Sequence, residues 1–185
     1  MSPPTLAAAA VPQFAGVIDF ARPADREALG RDFKASMRRL AAGVCVITTV
    51  EEGRLLGCTA TAVTSVSADP PTLLVCLNQS SKTHAAVIRA GFFGVSVLSG
   101  SDEQIARDFA GMNAVPDRFW DDGWTTLHSG APVLSNRAAA FDCRVSTSTS
   151  VASHTVIFGE VVASRQQAGS LLVYAGARFI QVPAQ

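Results

Sequence analysis

Two groups of residues in this chain are of the right types to do chemistry. The first is Thr59, Ala60, Thr61 and Ala62, continued by Ser65, Val66 and Ser67. Alanines let a flat ligand lie close to the backbone, while hydroxyls and main-chain N–H groups can bond to its polar edge. The same pattern also suits an ordinary half-buried strand, because threonine is a normal strand residue. The second group is Asn78, Ser81, Lys82 and Thr83, where an apolar strand gives way to a helix. Free N–H groups, hydroxyls and one ammonium at the positive end of a helix make a seat for phosphate. Lys34 and Lys82 are the only lysines in the chain, which singles out the position of Lys82. A plain serine cap beside a solvated lysine is the alternative.

These groups need elements to hold them. Residues 22–44 read as a helix: Pro23 suits its first turn, and Asp25 and Glu27 complement its positive end. Leu29, Phe33, Met37 and Leu40 form one stripe, which predicts a face turned to a core, and Gly43 is the expected stop. β-Branched runs follow at 44–50 and 54–67, joined by a turn at Glu52-Gly53. Pro70-Pro71 breaks the chain before a buried strand at 72–78. A short helix with Ser80 or Ser81 as cap and Gly91 as stop leads to a strand at 92–99. Ser101 and Gln104 read as a capping box opening another helix. Residues 112–132 read as an ordered loop anchored by Trp120 and Trp124; two long strands and a terminal strand pair close the chain.

About seven strands with short intervening helices predict a mainly β protein, a barrel with helical caps. Strict βαβ alternation is missing, and no G-x-G-x-x-G follows a strand, which argues against a Rossmann domain. At 185 residues and 48% hydrophobic content, one substantial core is expected. The formal charge is zero, so no electrostatic footprint points to nucleic acid or an anionic membrane. No apolar run approaches the roughly 18 residues of a membrane span. Residues 1–24 read as a loose tail rather than a signal peptide, ahead of a single domain over 25–185, and the expected location is cytoplasmic. Cys45, Cys58, Cys76 and Cys143 show no CxxC pairing and do not share ligand spacing with His84, His128 or His154, so no metal is expected.

The ordered segments AGVCVITT, GCTATAVTSVSADPPTLLVCLN, SSKT, FGVSVLS, FAG, DRF, PVL, FDCRV, SHTVIFGEV and YAGARF resemble the short-chain flavin reductases. These are the reductase components of two-component flavin monooxygenases. The likeness runs from Asp32 to Val182 and is greatest to reductases paired with 4-hydroxyphenylacetate hydroxylase and with the pyrimidine-degrading oxygenase. It implies a Greek-key split β-barrel that binds FMN or FAD, uses NADH or NADPH, and works as a homodimer. It places the flavin ring against Thr59–Ala62 with Ser65, Val66 and Ser67 beside it. The phosphate tail would lie at Asn78, Ser81, Lys82 and Thr83, with Phe109, Ala110 and Gly111 closing over it. His154 would stand near the open flavin face, with Tyr174 and Arg178 near the pyridine nucleotide. The family's glycine-led triplet before this strand is here Ala152-Ser153-His154, which alters the turn that carries the histidine.

The implied reaction is reduction of a flavin by NAD(P)H, with the reduced flavin passed to a partner monooxygenase. Hydride transfer needs no protein nucleophile; it needs the nicotinamide held about 3–3.5 Å from the acceptor in a suitable orientation. His154 would then position the nicotinamide or buffer a proton. Two other readings share the barrel: a reductase that retains its flavin and reduces another acceptor such as a corrinoid, and a non-catalytic flavin- or haem-binding protein.

Overall fold

A computed structural model describes residues 25–184, so the expected N-terminal tail and Pro23 lie outside the described residues. The described residues divide into two units, 25–35 and 36–184. Most of helix α1 (Arg26–Met37) belongs to the first. Asp25 caps it, its Oδ1 accepting the Ala28 N–H at 2.7 Å. The apolar stripe is present but is not buried: Leu29, Phe33, Met37 and Leu40 are all about half exposed or more. Helical periodicity says which side of a helix is apolar, not what covers it. The helix also ends at Met37 rather than at Gly43, which instead pairs with Val173 in a two-residue strand, β1 (Ala42–Gly43).

The second unit continues with β2 (Cys45–Glu51), β3 (Arg54–Ala60), β4 (Val63–Ala68), β5 (Pro71–Asn78) and helix α2 (Lys82–Ala90). Then come β6 (Phe92–Val97), helix α3 (Glu103–Phe109), β7 (Trp124–Thr126), β8 (Pro132–Leu134), β9 (Ala139–Val151) and β10 (His154–Gln166). A hairpin of β11 (Leu171–Ala175) and β12 (Arg178–Val182) ends it. The main sheet has seven strands in the order β3-β2-β6-β9-β10-β5-β4, every neighbouring pair antiparallel.

Its two edge strands, β3 and β4, are consecutive in the chain, and that forces the shape. Laid flat, the sheet would be close to 30 Å wide at about 4.8 Å per strand pair. Thr61 and Ala62 must bridge Ala60 to Val63, a reach of at most about 11 Å. The sheet therefore curls until its edges nearly meet. Ala62 extends the β4–β5 ladder by accepting the Cys76 N–H at 3.0 Å, which fixes one side of that bridge. What remains is a barrel split along one seam between β3 and β4, with short helices as caps.

β2 explains why the sequence there reads as a continuous apolar run, since both of its faces are covered. Cys45 and Ile47 join Leu73, Val75, Leu77, Phe93, Val95 and Ile157 in the barrel interior. Val46, with Val44 before the strand, points the other way into a second cluster with Leu98, Ile105, Phe109, Leu134 and Leu172. Burial pushes the Cys45 and Cys143 thiols up to about 12, so both behave as small apolar residues.

Two further expectations are corrected. The Ser101–Gln104 capping box does not form: α3 starts at Glu103 after Asp102, whose side chain makes no cap bond. That carboxylate is taken by the Ser99 N–H at 2.8 Å and by Arg137 at 2.9 Å. The segment 112–132 is not all loop, because β7 and β8 pair as a small hairpin. Strands of two or three residues carry too little periodicity to be read in advance.

Candidate active site

The seam puts Thr59–Ala62 on an open edge. β3 and β4 each pair on one side only, so among the described residues their outer edges have no strand partner. Such an edge presents unpaired N–H and C=O groups, a natural place for the polar rim of a flat ligand. The hydroxyls divide into used and spare. Thr59 Oγ1 donates to the Ala106 carbonyl at 2.7 Å, tying β3 to helix α3. Ser67 Oγ donates to the Asp69 carbonyl and accepts the Asp69 N–H, so it builds the turn toward Pro70. Thr61 and Ser65 are exposed and, among the described residues, have no protein partner for their hydroxyls. Ala60 is nearly buried, Ala62 is exposed, and Val66 is the extra residue of a bulge between Ser65 and Ser67.

The strand-to-helix junction beside the seam is wired locally. Asn78 Oδ1 accepts the Ser80 N–H at 2.9 Å and its hydroxyl at 2.8 Å, and the Asn78 carbonyl accepts the Ser81 N–H. This turn sets Ser81 in an extended conformation as the cap of α2, its Oγ accepting the Thr83 N–H at 3.2 Å. Lys82 is exposed and Thr83 buried. A cleft of about 300 Å³ opens here, lined by Leu56, Gly57, Lys82, Thr83, Arg118 and Phe119 among others. Two cations and the positive end of a helix thus face one cavity, which suits a phosphate tail. The sequence puts Arg118 in a segment that could border the pocket but gives it no site role; the structure places it in the lining of the cleft. The Cys58 thiol lies against the same corner. Burial pushes it up from the ordinary thiol range, while hydrogen bonds with Thr83 and Ser81 and the charge of Arg118 oppose that shift.

The segment after α3 is organised from inside. Phe109 is buried, its ring centroid 5.0 Å from Phe119 and 5.5 Å from Trp124. Gly57 makes room for it: a Cβ there would stand 2.6 Å from Phe109 Cε1. The ring therefore belongs to the core, while Ala110 and Gly111 are exposed and are not among the residues that line the cleft. Gly111 takes the left-handed conformation at φ 72°, and a Cβ there would lie 3.7 Å from the Arg118 guanidinium. Buried Asp108 accepts from Gln104 at 2.9 Å, Asn113 at 2.6 Å and Trp120 Nε1 at 2.9 Å. Desolvation acts to raise its pKa, but those three donors and the charge of Arg118 outweigh it and hold the carboxyl below the usual range.

His154 opens β10, exposed at the hairpin tip and opposite Asn78 in the ladder. Ala152 at φ 50° makes the turn, and Ser153 Oγ lies 2.9 Å from His154 Nδ1. Tyr174 and Arg178 sit elsewhere, in the three-stranded sheet β1-β11-β12. The Tyr174 ring packs 5.1 Å from Phe179, which in turn lies 5.3 Å beneath the Arg107 guanidinium. Arg178 is exposed, and among the described residues no hydrogen bond joins this hairpin to His154. The fold thus gathers Thr59–Ala62, the Asn78–Thr83 junction and His154 around one end of the barrel and leaves Tyr174 and Arg178 on another sheet.

A split antiparallel barrel with a cationic seat beside its seam fits a flavin, flat ring against the open edge and phosphate at the helix start. The chain belongs to the flavin reductase-like domain family, whose model matches residues 37–183. It is 42% identical over 154 residues to the FMN reductase (NADH) RutF of Pseudomonas syringae, covering 83% of this chain and 86% of that one. Among solved structures, the NADH:FAD oxidoreductase of Streptomyces globisporus in complex with NAD and FAD fragments superposes with a TM-score of 0.75 at 29% identity. That match covers 82% of this chain and 91% of the other. The flavin reductase of styrene monooxygenase from Pseudomonas putida gives 0.73, also at 29% identity, over 82% and 97%.

Proposed function

We propose that the protein is an NADH-dependent flavin reductase that acts on FMN and supplies the reduced flavin to a partner monooxygenase. The observation that carries this is the seam at Thr59–Ala62, where among the described residues β3 and β4 have no strand partner on their outer edges, beside the cleft that Lys82 and Arg118 share. Bound flavin supplies an acceptor for hydride from reduced nicotinamide. Everything else falls to the chain. Lys82, Arg118 and the α2 N–H groups neutralise and hold the phosphate, and Ser81 keeps those N–H groups in place. Main-chain groups of Thr61 and Ala62, with the Thr61 and Ser65 hydroxyls, stabilise the ring edge where negative charge builds on reduction. His154 stands by the open side and orients the nicotinamide, holding or releasing a proton at its imidazole without attacking anything. These are hydrogen bonds and ion pairs, all reversible, which suits a flavin that must leave. The protein acts as a homodimer in this reading, with Tyr174 and Arg178 completing the pyridine-nucleotide side.

The test is anaerobic addition of NADH to purified protein with FMN, without any aromatic substrate. Bleaching of the flavin absorbance and one NADH oxidised per FMN are expected. No NADH oxidation with FMN or with FAD would remove the proposal. Flavin that co-purifies stoichiometrically and survives dilution would turn it toward a reductase that retains its flavin.

A further inference from the structure

The segment between Asn78 and His84 does more than seat a phosphate: it also holds the turn that carries His154. The Gln79 N–H donates to the Ser153 carbonyl at 3.0 Å, and Gln79 Nε2 donates to the His154 carbonyl at 3.1 Å. On the far side, His84 Nε2 lies 2.9 Å from Thr155 Oγ1, and Thr155 is buried. Among the described residues His84 Nδ1 is buried with no partner, so the one hydrogen bond this ring makes there is spent on β10. Residues 153, 154 and 155 are thus each fixed from the 78–84 segment, two through Gln79 and one through His84.

The clamp matters because the turn is strained and exposed. Ala152 occupies the left-handed region at φ 50°, and the His154 side chain has one polar contact, with the neighbouring Ser153. Left alone, such a tip has no reason to aim its imidazole in one direction. We infer that Gln79 is a positioning residue for His154, with His84 and Thr155 as its second anchor, so that the phosphate seat and the nicotinamide side form one mechanical unit. The inference rests on the reductase reading for its kinetic consequence, but not for its geometry. Order imposed on residues 78–83 by a bound phosphate passes directly to the backbone of 153–155, which makes flavin binding favour nicotinamide binding.

Two variants test it. Gln79→Met keeps the length and removes the amide donor at an exposed position, so folding is unaffected. Thr155→Val is nearly isosteric and removes the hydroxyl that His84 engages. Each is expected to raise the KM for NADH about three- to tenfold, the usual range for one lost hydrogen bond. The FMN dissociation constant, read by flavin fluorescence in the absence of NADH, stays within twofold. Combined with His154→Ala, Gln79→Met adds nothing further. In the ligand-free protein, Gln79→Met shifts the His154 imidazole resonances in NMR spectra. Unmoved His154 resonances overturn the inference whatever the kinetics show. So does a KM for NADH within twofold of wild type in an enzyme that oxidises NADH. If the wild-type protein oxidises no NADH at all, the reductase reading fails, and the resonance shift alone decides the positioning role.

Discussion

The junction at Asn78–Thr83 and the segment from Asp108 to Trp124 border the same cleft, yet they are built on opposite plans. The first takes its shape mostly from local bonds: Asn78, Ser80, Ser81 and Thr83 bond to one another within six residues, only Gln79 reaches out to the His154 turn, and Lys82 is left exposed. The second is held from below, by a buried carboxylate with three side-chain donors and by three packed aromatic rings. A self-contained turn can lose its charged residue without losing its shape. An internally anchored loop cannot lose its anchor. The difference separates residues left free to meet a ligand from residues that serve the fold.

The sharpest way to break this contrast is Asp108→Ala. It empties a buried site and removes the charge-assisted hydrogen bonds from Gln104, Asn113 and Trp120, and about 3 kcal/mol of destabilisation is expected. For a chain of this size that lowers Tm by roughly 6–12 °C, measurable by calorimetry, with FMN affinity falling only as the loop loosens. Because the folded-state pKa of Asp108 is depressed, its contribution is present above the ordinary aspartate range. It is lost as pH falls through the folded value. The stability gap between wild type and Asp108→Ala, followed by urea unfolding, should therefore narrow below about pH 4. A gap that stays constant with pH would show that packing, not the ionised carboxylate, holds the loop.

The complementary experiment removes charge from the cleft. Lys82→Ala and Arg118→Ala are each expected to weaken FMN binding about tenfold, the loss of a partly screened charge-assisted hydrogen bond. Neither should move Tm by more than about 1 °C, since both side chains are exposed. Lumiflavin, which lacks the phosphate, supplies the control: its binding should be the same in wild type and variants. Equal losses for both ligands would mean that the two cations shape the loop rather than meet a phosphate.

How legible these regions were in the sequence follows from the same distinction. The capped start and stop of α2 could be read because their logic is local: a hydroxyl cap, a lysine in the first helical turn and Gly91 as the stop all lie within one short segment. The barrel was legible as a count of apolar runs, and its closure could have been inferred from two strands joined by two residues. The sequence shows Arg118 only as a residue that could border the pocket, because its relation to Lys82 is made by a loop whose path depends on Asp108 and Phe109 far inside. Phe109 itself looked available to a ligand at the end of a helix. Only the approach of Gly57 shows that its ring is claimed by the core. The α1 stripe was read correctly as apolar and wrongly as buried, because what covers a helix is a property of the assembly and not of its period.

The His154 turn lies between the two plans, and it offers the smallest and most local test. Its geometry is set partly by Ala152, a residue with a Cβ in a conformation that disfavours one by about 1–2 kcal/mol. Ala152→Gly relieves that strain but gives the unfolded chain extra freedom worth about 0.4–1 kcal/mol in the opposite direction. The balance favours glycine by roughly 0.5 kcal/mol, a rise in Tm of about 1–2 °C. FMN affinity should not change, since the seat keeps its own bonds. If the turn is held from the 78–84 segment, the KM for NADH should hardly change either, because Gln79 and His84 still aim the strand. A several-fold rise in that KM would mean that the alanine, and not the clamp, keeps His154 in place.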